Sequence, residues 1–323
     1  MSNIKVGATL YCWTQEYATG KMSLEDIIRT AAEIGCEGYE IVATQMIPSY
    51  PFISDEFLAM VNRLKDECGI GPVSYGANCD RGMLPDRNLT EDEMLAAAII
   101  DVQSAHRLGC KVMRAQYLMG PNVLERLEPY ARMYDVKVGI EIHNPETPST
   151  PIIREYEAMM DRVGSPYIGF VPDFGCFATK PNKPFWDDAL AAGAPLELLE
   201  MAAQMRYDNV PMEEAQARLA AAGATGPVFG AFSGMYGFVQ FSKEPDFEGL
   251  KRIMTHCVHF HGKFHYLYEN GEEASIPYDD VVGIIRDSDY EGYIVGEYEN
   301  HSGFTATEMT RRCVAKIKNV LGR

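Results

Sequence analysis

IEIH (140–143) and VPDFG (171–175) are each an apolar run of β type that ends in acid or imidazole groups. Two more such runs follow, VHFHGK (258–263) and YIVGEYE (293–299). A carboxylate at the end of a hydrophobic strand is costly to bury without a partner. Four strands that end in a Glu, an Asp, a His and a Glu point to one shared partner, and a divalent metal is the simplest candidate. Side chains two apart on a strand face the same way. Glu141 therefore shares a direction with His143, His259 with His261, and Glu297 with Glu299, while Asp173 ends its own run.

Outward from these strings the chain alternates strand and helix. Strands are expected at 5–10, 38–42, 72–77, 111–118, 136–143, 167–173, 256–264 and 293–299. Ser23 with Asp26 reads as a capping box that opens a helix running to Ile34, with Gly35 behind it. Thr90 with Glu93 opens a long helix, and its apolar positions Met94, Leu95, Ala98, Ile99, Val102 and Leu108 fit the helical period. Further helices are expected near 55–67, 123–134, 152–163 and 277–287. Thr305 with Glu308 is expected to cap the last one, whose apolar stripe is Met309, Cys313, Ile317 and Val320.

Eight strands alternating with helices predict a parallel sheet with right-handed crossovers. A closed (β/α)8 barrel, one domain over 1–323, matches the count and the size. A doubly wound sheet would want a Gly-rich phosphate turn after the first strand, where LYCWTQEY (10–17) stands instead. One connection, 174–255, breaks the rhythm. It holds helical stretches at 186–206 and 212–222, then the Gly- and aromatic-rich GPVFGAFSGMYGFVQF (226–241). It leaves the strand end where barrel enzymes keep their sites, and reads as a lid, a substrate wall or a subunit contact.

The chain has 323 residues, 46% of them hydrophobic, and a formal charge of 29 − 46 = −17. A surface this acidic repels phosphate backbones and argues against a nucleic-acid partner. The N-terminal MSNIKVGATLYCW lacks the basic and apolar regions of a signal peptide. No apolar run approaches the roughly 20 residues of a membrane helix. The eight scattered cysteines, none in a CxxC pair, read as reduced thiols of a cytoplasmic protein. PDFG contains the DFG of protein kinases, but no Gly-rich loop and no HRD string precede it.

A Glu, Asp, His, Glu set is mostly hard oxygen with one nitrogen, which suits Mn²⁺, with Mg²⁺ as the alternative. Three carboxylates on one divalent ion leave a net charge of about −1, which fits a neutral substrate. Tyr11, Trp13, Glu40, Arg114, Lys263 and His301 are candidate substrate contacts. Glu40 and Arg114, at the second and fourth strands, equally suit a structural ion pair. Tyr11, Trp13, Phe177, Trp186, Phe232 and Tyr236 are candidates for an aromatic wall.

The order of strand ends IEIH, PDFG, HFHGK and GEYE resembles the xylose-isomerase-like TIM barrels, the sugar isomerases and epimerases, over nearly the whole chain. The resemblance implies Glu141, Asp173, His261 and Glu297 as metal ligands. It prefers His261 to His259 because His261 stands two before Lys263, in the family's H-x-K pattern. IEIHNPET (140–147), VPDFGCFATKPN (171–182) with the long connection behind it, and FHGKFHYLYENGEE (260–273) are similar to the alpha subunits of bacterial C-glycoside deglycosidases.

That similarity implies a metal-dependent carbon–carbon lyase acting on 3-oxo-glucosyl C-glycosides such as flavonoid C-glucosides. It further implies a hetero-oligomer with a small beta subunit, and His143 as the base that takes the C2 proton. A metal-dependent ketose isomerase or 3-epimerase is the alternative, since the same base and metal serve it. A related multi-zinc endonuclease would need more metal-binding histidines and a more basic face than 7 His and −17 supply.

Overall fold

The structure is a computed structural model that describes residues 3–323. All eight expected strands are present: β1 (Lys5–Thr9), β2 (Tyr39–Val42), β3 (Pro72–Gly76), β4 (Val112–Gln116), β5 (Lys137–Ile142), β6 (Ile168–Pro172), β7 (Phe260–Phe264) and β8 (Tyr293–Tyr298). They pair in parallel in the order β6-β5-β4-β3-β2-β1-β8-β7. Bridges Phe170–Cys257 and Asp173–His261 bring the two end strands together. The fold is a (β/α)8 barrel of parallel strands, and side chains along each strand alternate between the axis and the helices as such a barrel requires. On β5, Val138, Ile140 and Ile142 are fully buried toward the helices, which leaves Glu141 facing the axis.

The seam between β6 and β7 is close. A Cβ on Gly169 would lie 2.2 Å from the carbonyl oxygen of His256, so only glycine lets the two segments meet.

Behind β1 come the short α1 (Thr14–Ala18) and α2 (Leu24–Glu33). The short α3 (Ala43–Met46) and α4 (Asp55–Cys68) follow β2, α5 (Glu91–Leu108) follows β3, α6 (Pro121–Tyr134) follows β4, and α7 (Pro151–Val163) follows β5. Between β6 and β7 the chain forms α8 (Lys183–Ala191), α9 (Leu196–Tyr207), α10 (Met212–Ala221), α11 (Gly226–Tyr236) and α12 (Phe247–Ile253). Then α13 (Tyr278–Arg286) follows β7 and α14 (Ala306–Val320) follows β8. None of these helices is long and apolar enough to cross a membrane.

The capping boxes at Ser23/Asp26 and Thr90/Glu93 both close reciprocally. The one expected at Thr305 does not form. Thr305 Oγ1 lies 2.8 Å from the Tyr298 hydroxyl instead, and Glu308 is held by Arg311 and Arg312. The stretch 186–206 is two helices rather than one, because Gly193 takes a φ of +88° and Pro195 caps the start of α9. The Gly-rich 226–241 begins as the helix α11, with Pro227 in its first turn, where a missing N–H costs nothing.

Candidate metal centre and adjoining cavity

Strands β5 to β8 deliver one acid or imidazole each to a single point. One ligand atom from each of Glu141, Asp173, His261 and Glu297 lies within 4.8 Å of the others, and all four residues are buried. His261 Nδ1 stands 2.9 Å from Glu141 Oε1 and 3.4 Å from Glu297 Oε2. Asp173 Oδ2, His261 Nδ1 and Glu297 Oε2 are buried atoms that make no hydrogen bond. Lys263 Nζ stands 3.1 Å from Asp173 Oδ2 and 3.5 Å from Glu297 Oε2, so three buried carboxylates share one ammonium and one imidazole, an acid excess that suits a further cation. The donor set fits a hard divalent cation, and the cluster can bind one.

The surroundings carry an acid excess. Glu40, Glu141, Asp173, Glu297 and Glu299 face two permanent cations, Arg114 and Lys263. Burial pushes carboxyl pKa values up, but Arg114 and His261 bring Glu141 well below the ordinary range, and Lys263 and His261 do the same for Glu297. Asp173 goes the other way. Burial raises it to about 6, Lys263 opposes, and Glu297 adds to the rise. Burial disfavours charge on His261, yet Glu40, Glu297 and Glu141 outweigh it and raise its pKa.

Beneath the cluster lies a hydrogen-bonded layer from β2, β3 and β4. Glu40 Oε2 accepts from His261 Nε2 at 3.0 Å and from the Ser74 hydroxyl at 2.9 Å. Ser74 Oγ in turn meets His259 Nε2 at 3.1 Å. Burial lowers the pKa of His259 to about 3, so its ring is neutral and its Nε2–H donates to Ser74. Arg114 reaches Glu40 and Glu141, each at 3.6 Å. His261, not His259, is thus the imidazole in the four-residue cluster.

Above the cluster stands His143. Its Nδ1 is 2.6 Å from the Asn144 carbonyl oxygen, which accepts only from an N–H. Its Nε2 is 2.6 Å from Lys263 Nζ, an ammonium that can only donate. Nε2 therefore carries the lone pair. Lys263 Nζ also lies 3.1 Å from Asp173 and 3.1 Å from Glu299. A cavity of about 920 Å³ opens beside His143, with Glu299, His265 and His301 on the barrel side and α8 and α11 on the other.

The structure sorts the expected substrate contacts. His301 lines the cavity, and Tyr11 packs edge-on against it at 4.7 Å between ring centroids. Burial, then Glu299 and Glu297, push the Tyr11 hydroxyl up to about 12, so it stays a donor. Lys263 sits inside the cluster. Trp13 and Glu40 do not line the cavity: both are fully buried, Trp13 with its indole N–H on Thr307 Oγ1 at 2.9 Å. Arg114 is an ion-pair residue of the lower layer. Phe177 and Phe232 belong to the core, not to an aromatic wall. The cavity's exposed aromatic rings are Phe185 and Phe238. Sequence reasoning passed over His265 as an individual residue, although the two-residue period from His259 through His261 and Lys263 points straight to it.

The family model for the xylose isomerase-like TIM barrel matches residues 28–319. The chain is 33% identical over 317 residues to the 3'-dehydrocarminate deglycosidase alpha subunit of Microbacterium sp., covering 91% of this chain and 88% of that protein. It is 30% identical over 312 residues to a C-glycoside deglycosidase alpha subunit of Arthrobacter globiformis, covering 93% and 86%. A sugar phosphate isomerase/epimerase from Parabacteroides distasonis superposes with a TM-score of 0.58 at 12% identity, over 99% of this chain and 95% of that one, a likeness of fold. The chain therefore belongs to the xylose isomerase-like TIM barrel family and is homologous there to the alpha subunits of C-glycoside deglycosidases.

Proposed function

We propose that this chain is the catalytic subunit of a metal-dependent C-glycoside deglycosidase, a carbon–carbon lyase acting on 3-oxo-glucosyl C-glycosides. The observation that carries the reading is the position of His143. Its Nε2 lone pair stands between the four-residue cluster and the cavity. The homologous alpha subunits support the substrate class and a small beta subunit as partner. The oxygen-rich donor set supports Mn²⁺, and eight free cysteines support a cytoplasmic setting.

An aryl–sugar carbon–carbon bond has no bridging oxygen to protonate, so two-carboxylate glycoside hydrolysis does not serve. A ketone at C3 acidifies the hydrogen at C2. His143 Nε2, a neutral imidazole nitrogen, takes that proton once the hydrogen bond from Lys263 Nζ gives way. The electron pair left at C2 forms the C1=C2 bond as the C1–aglycone bond breaks, and the aglycone carbon gains a proton. Glu141, Asp173, His261 and Glu297 would hold the divalent ion, which when bound supplies Lewis-acid stabilisation of charge on the C3 oxygen. Asn144 fixes the His143 tautomer through its carbonyl oxygen. Tyr11 and His301 offer contacts at the mouth.

The test is an assay of metal-loaded protein with and without its co-expressed small partner. The substrates are a 3-oxo-C-glucosyl flavonoid and a panel of free ketoses, followed by chromatography. Release of the free aglycone supports the reading. Ketose interconversion without aglycone release moves the chain to the isomerase and 3-epimerase branch and removes the partner claim.

A further inference from the structure

Two helices of the β6-to-β7 connection turn small residues toward the site. Ala189 on α8, Ala192 just past its end, and Gly230, Ala231 and Gly234 on α11 all line the cavity. Their spacing puts each set on one helix face. Glycine inside a helix is less stable than alanine, so Gly230 and Gly234 have a use other than helix formation. At Gly234 that use is contact, since a Cβ would lie 2.8 Å from a ring carbon of Phe185. At Gly230, an exposed residue on the cavity lining, a Cβ would meet nothing within 4 Å, so a side chain there has room.

The facing side is polar. His265 is buried to 4% exposure, and neither of its ring nitrogens makes a hydrogen bond; the nearest charge, Glu299 Oε2, is 3.8 Å away. Neither ring nitrogen of His301 has a partner either. Unpartnered ring nitrogens on two cavity-lining residues, one buried and one half-buried, call for polar atoms from a ligand. At the open end Phe238 is 73% exposed, its ring 6.2 Å from that of His143. A smooth apolar floor, an aromatic edge and two hydrogen-bonding imidazoles opposite describe a slot for a flat ring system with hydroxyls on its rim.

Resting on the deglycosidase reading, we propose that this slot receives the aglycone and that Gly230 sets how large an aglycone it admits. A multi-ring planar phenol lies on the glycine face of α11, and its edge hydroxyls meet His265 and His301. The sugar sits toward His143 and the four-residue cluster. A side chain at position 230 fills the slot without disturbing any packed neighbour.

The experiment measures calorimetric binding of a free three-ring flavone and of a one-ring hydroxyacetophenone to the metal-loaded complex. Wild type is compared with Gly230→Leu, and the ratio of kcat/KM for the corresponding 3-oxo-C-glucosides is read alongside. Flavone affinity and the three-ring to one-ring ratio are each expected to fall about tenfold or more in Gly230→Leu, the size of an overpacking effect. If the leucine variant melts early, Gly230→Ala replaces it, with a smaller loss of the same sign expected. Unchanged flavone affinity in a variant that melts no lower than wild type overturns the proposal, as does the absence of flavone binding to wild type. Aglycone release with unaltered size discrimination sinks the slot alone. Flavone binding that Gly230→Leu weakens, with no aglycone release from any 3-oxo-glycoside, sinks the deglycosidase reading and leaves the ligand class of the slot standing.

Discussion

Glu40 Oε2 lies 3.0 Å from His261 Nε2, on the far side of the ring from Glu141 and Glu297. The carboxylate holds a proton on Nε2, so it is Nδ1 that faces the cluster and would give up its own proton to a bound cation. Burial would raise the pKa of Glu40, but His261 and Arg114 hold it down at about 2, so it is an anion throughout the working range. Carboxylates behind a ligating imidazole tune metal affinity. Glu40→Gln keeps a hydrogen-bond acceptor and removes the charge. It is expected to weaken metal binding by about 10- to 100-fold, read by competitive chelator titration. Unaltered affinity would reduce Glu40 to a packing residue.

Glu141→Gln, Asp173→Asn and Glu297→Gln each remove one anionic donor from a cluster of four. Each is expected to lower both bound metal, measured by elemental analysis, and activity. Full metal retention in all three would remove the ligand assignment.

His143 lies outside the four-residue cluster. His143→Ala is expected to keep metal content and melting temperature while losing proton abstraction by about 10²- to 10⁴-fold. The readout is exchange of the C2 hydrogen with solvent deuterium, followed by NMR. Normal exchange in the variant would refute the base role.

Asp101 on α5 is buried and accepts from the Tyr75 hydroxyl at 3.0 Å. Burial raises its carboxyl to about 6, against the pull of that hydrogen bond. A raised folded pKa means the folded state holds the proton more tightly than the unfolded one. The stabilisation is complete below the ordinary carboxylate pKa of about 3.9 and is lost as pH rises through about 6, by roughly 3 kcal/mol at most. Asp101→Asn is expected to flatten the fall in melting temperature across that window and to melt higher than wild type at pH 8. A parallel pH profile in the two proteins would dismiss the burial argument.

The barrel was legible because strand ends carry their own punctuation. Val138, Ile140 and Ile142 alternate with inward positions, and the last inward position of each of several strands is acid or imidazole. The cluster was legible for the same reason, and the H-x-K spacing pointed to His261 over His259. Partners far apart in sequence were harder. Nothing local to Glu40 says that a ring 221 residues away will lie on it, which is why it read equally as a substrate contact. Trp13 read as a candidate substrate contact or aromatic-wall residue, yet its position after β1 turns it into the core against Thr307. Thr305 lost its capping role to a hydroxyl neighbour on β8, a contact that no local motif announces. The glycines of α11 masked a helix, because glycine usually signals a break and here gives clearance.

The seam between β6 and β7 has a last consequence. Those two strands are joined by isolated bridges rather than a continuous ladder, and one bridge is Asp173–His261 itself. The cluster therefore straddles the loosest joint of the sheet, with Glu141 and Glu297 one strand further out on either side. An ion gripped by all four residues would rivet the cylinder shut where its own hydrogen bonding is thinnest. Loading the centre and locking the architecture are then one event, and amide exchange near 169 and 258 should slow on metal addition more than anywhere on the opposite wall.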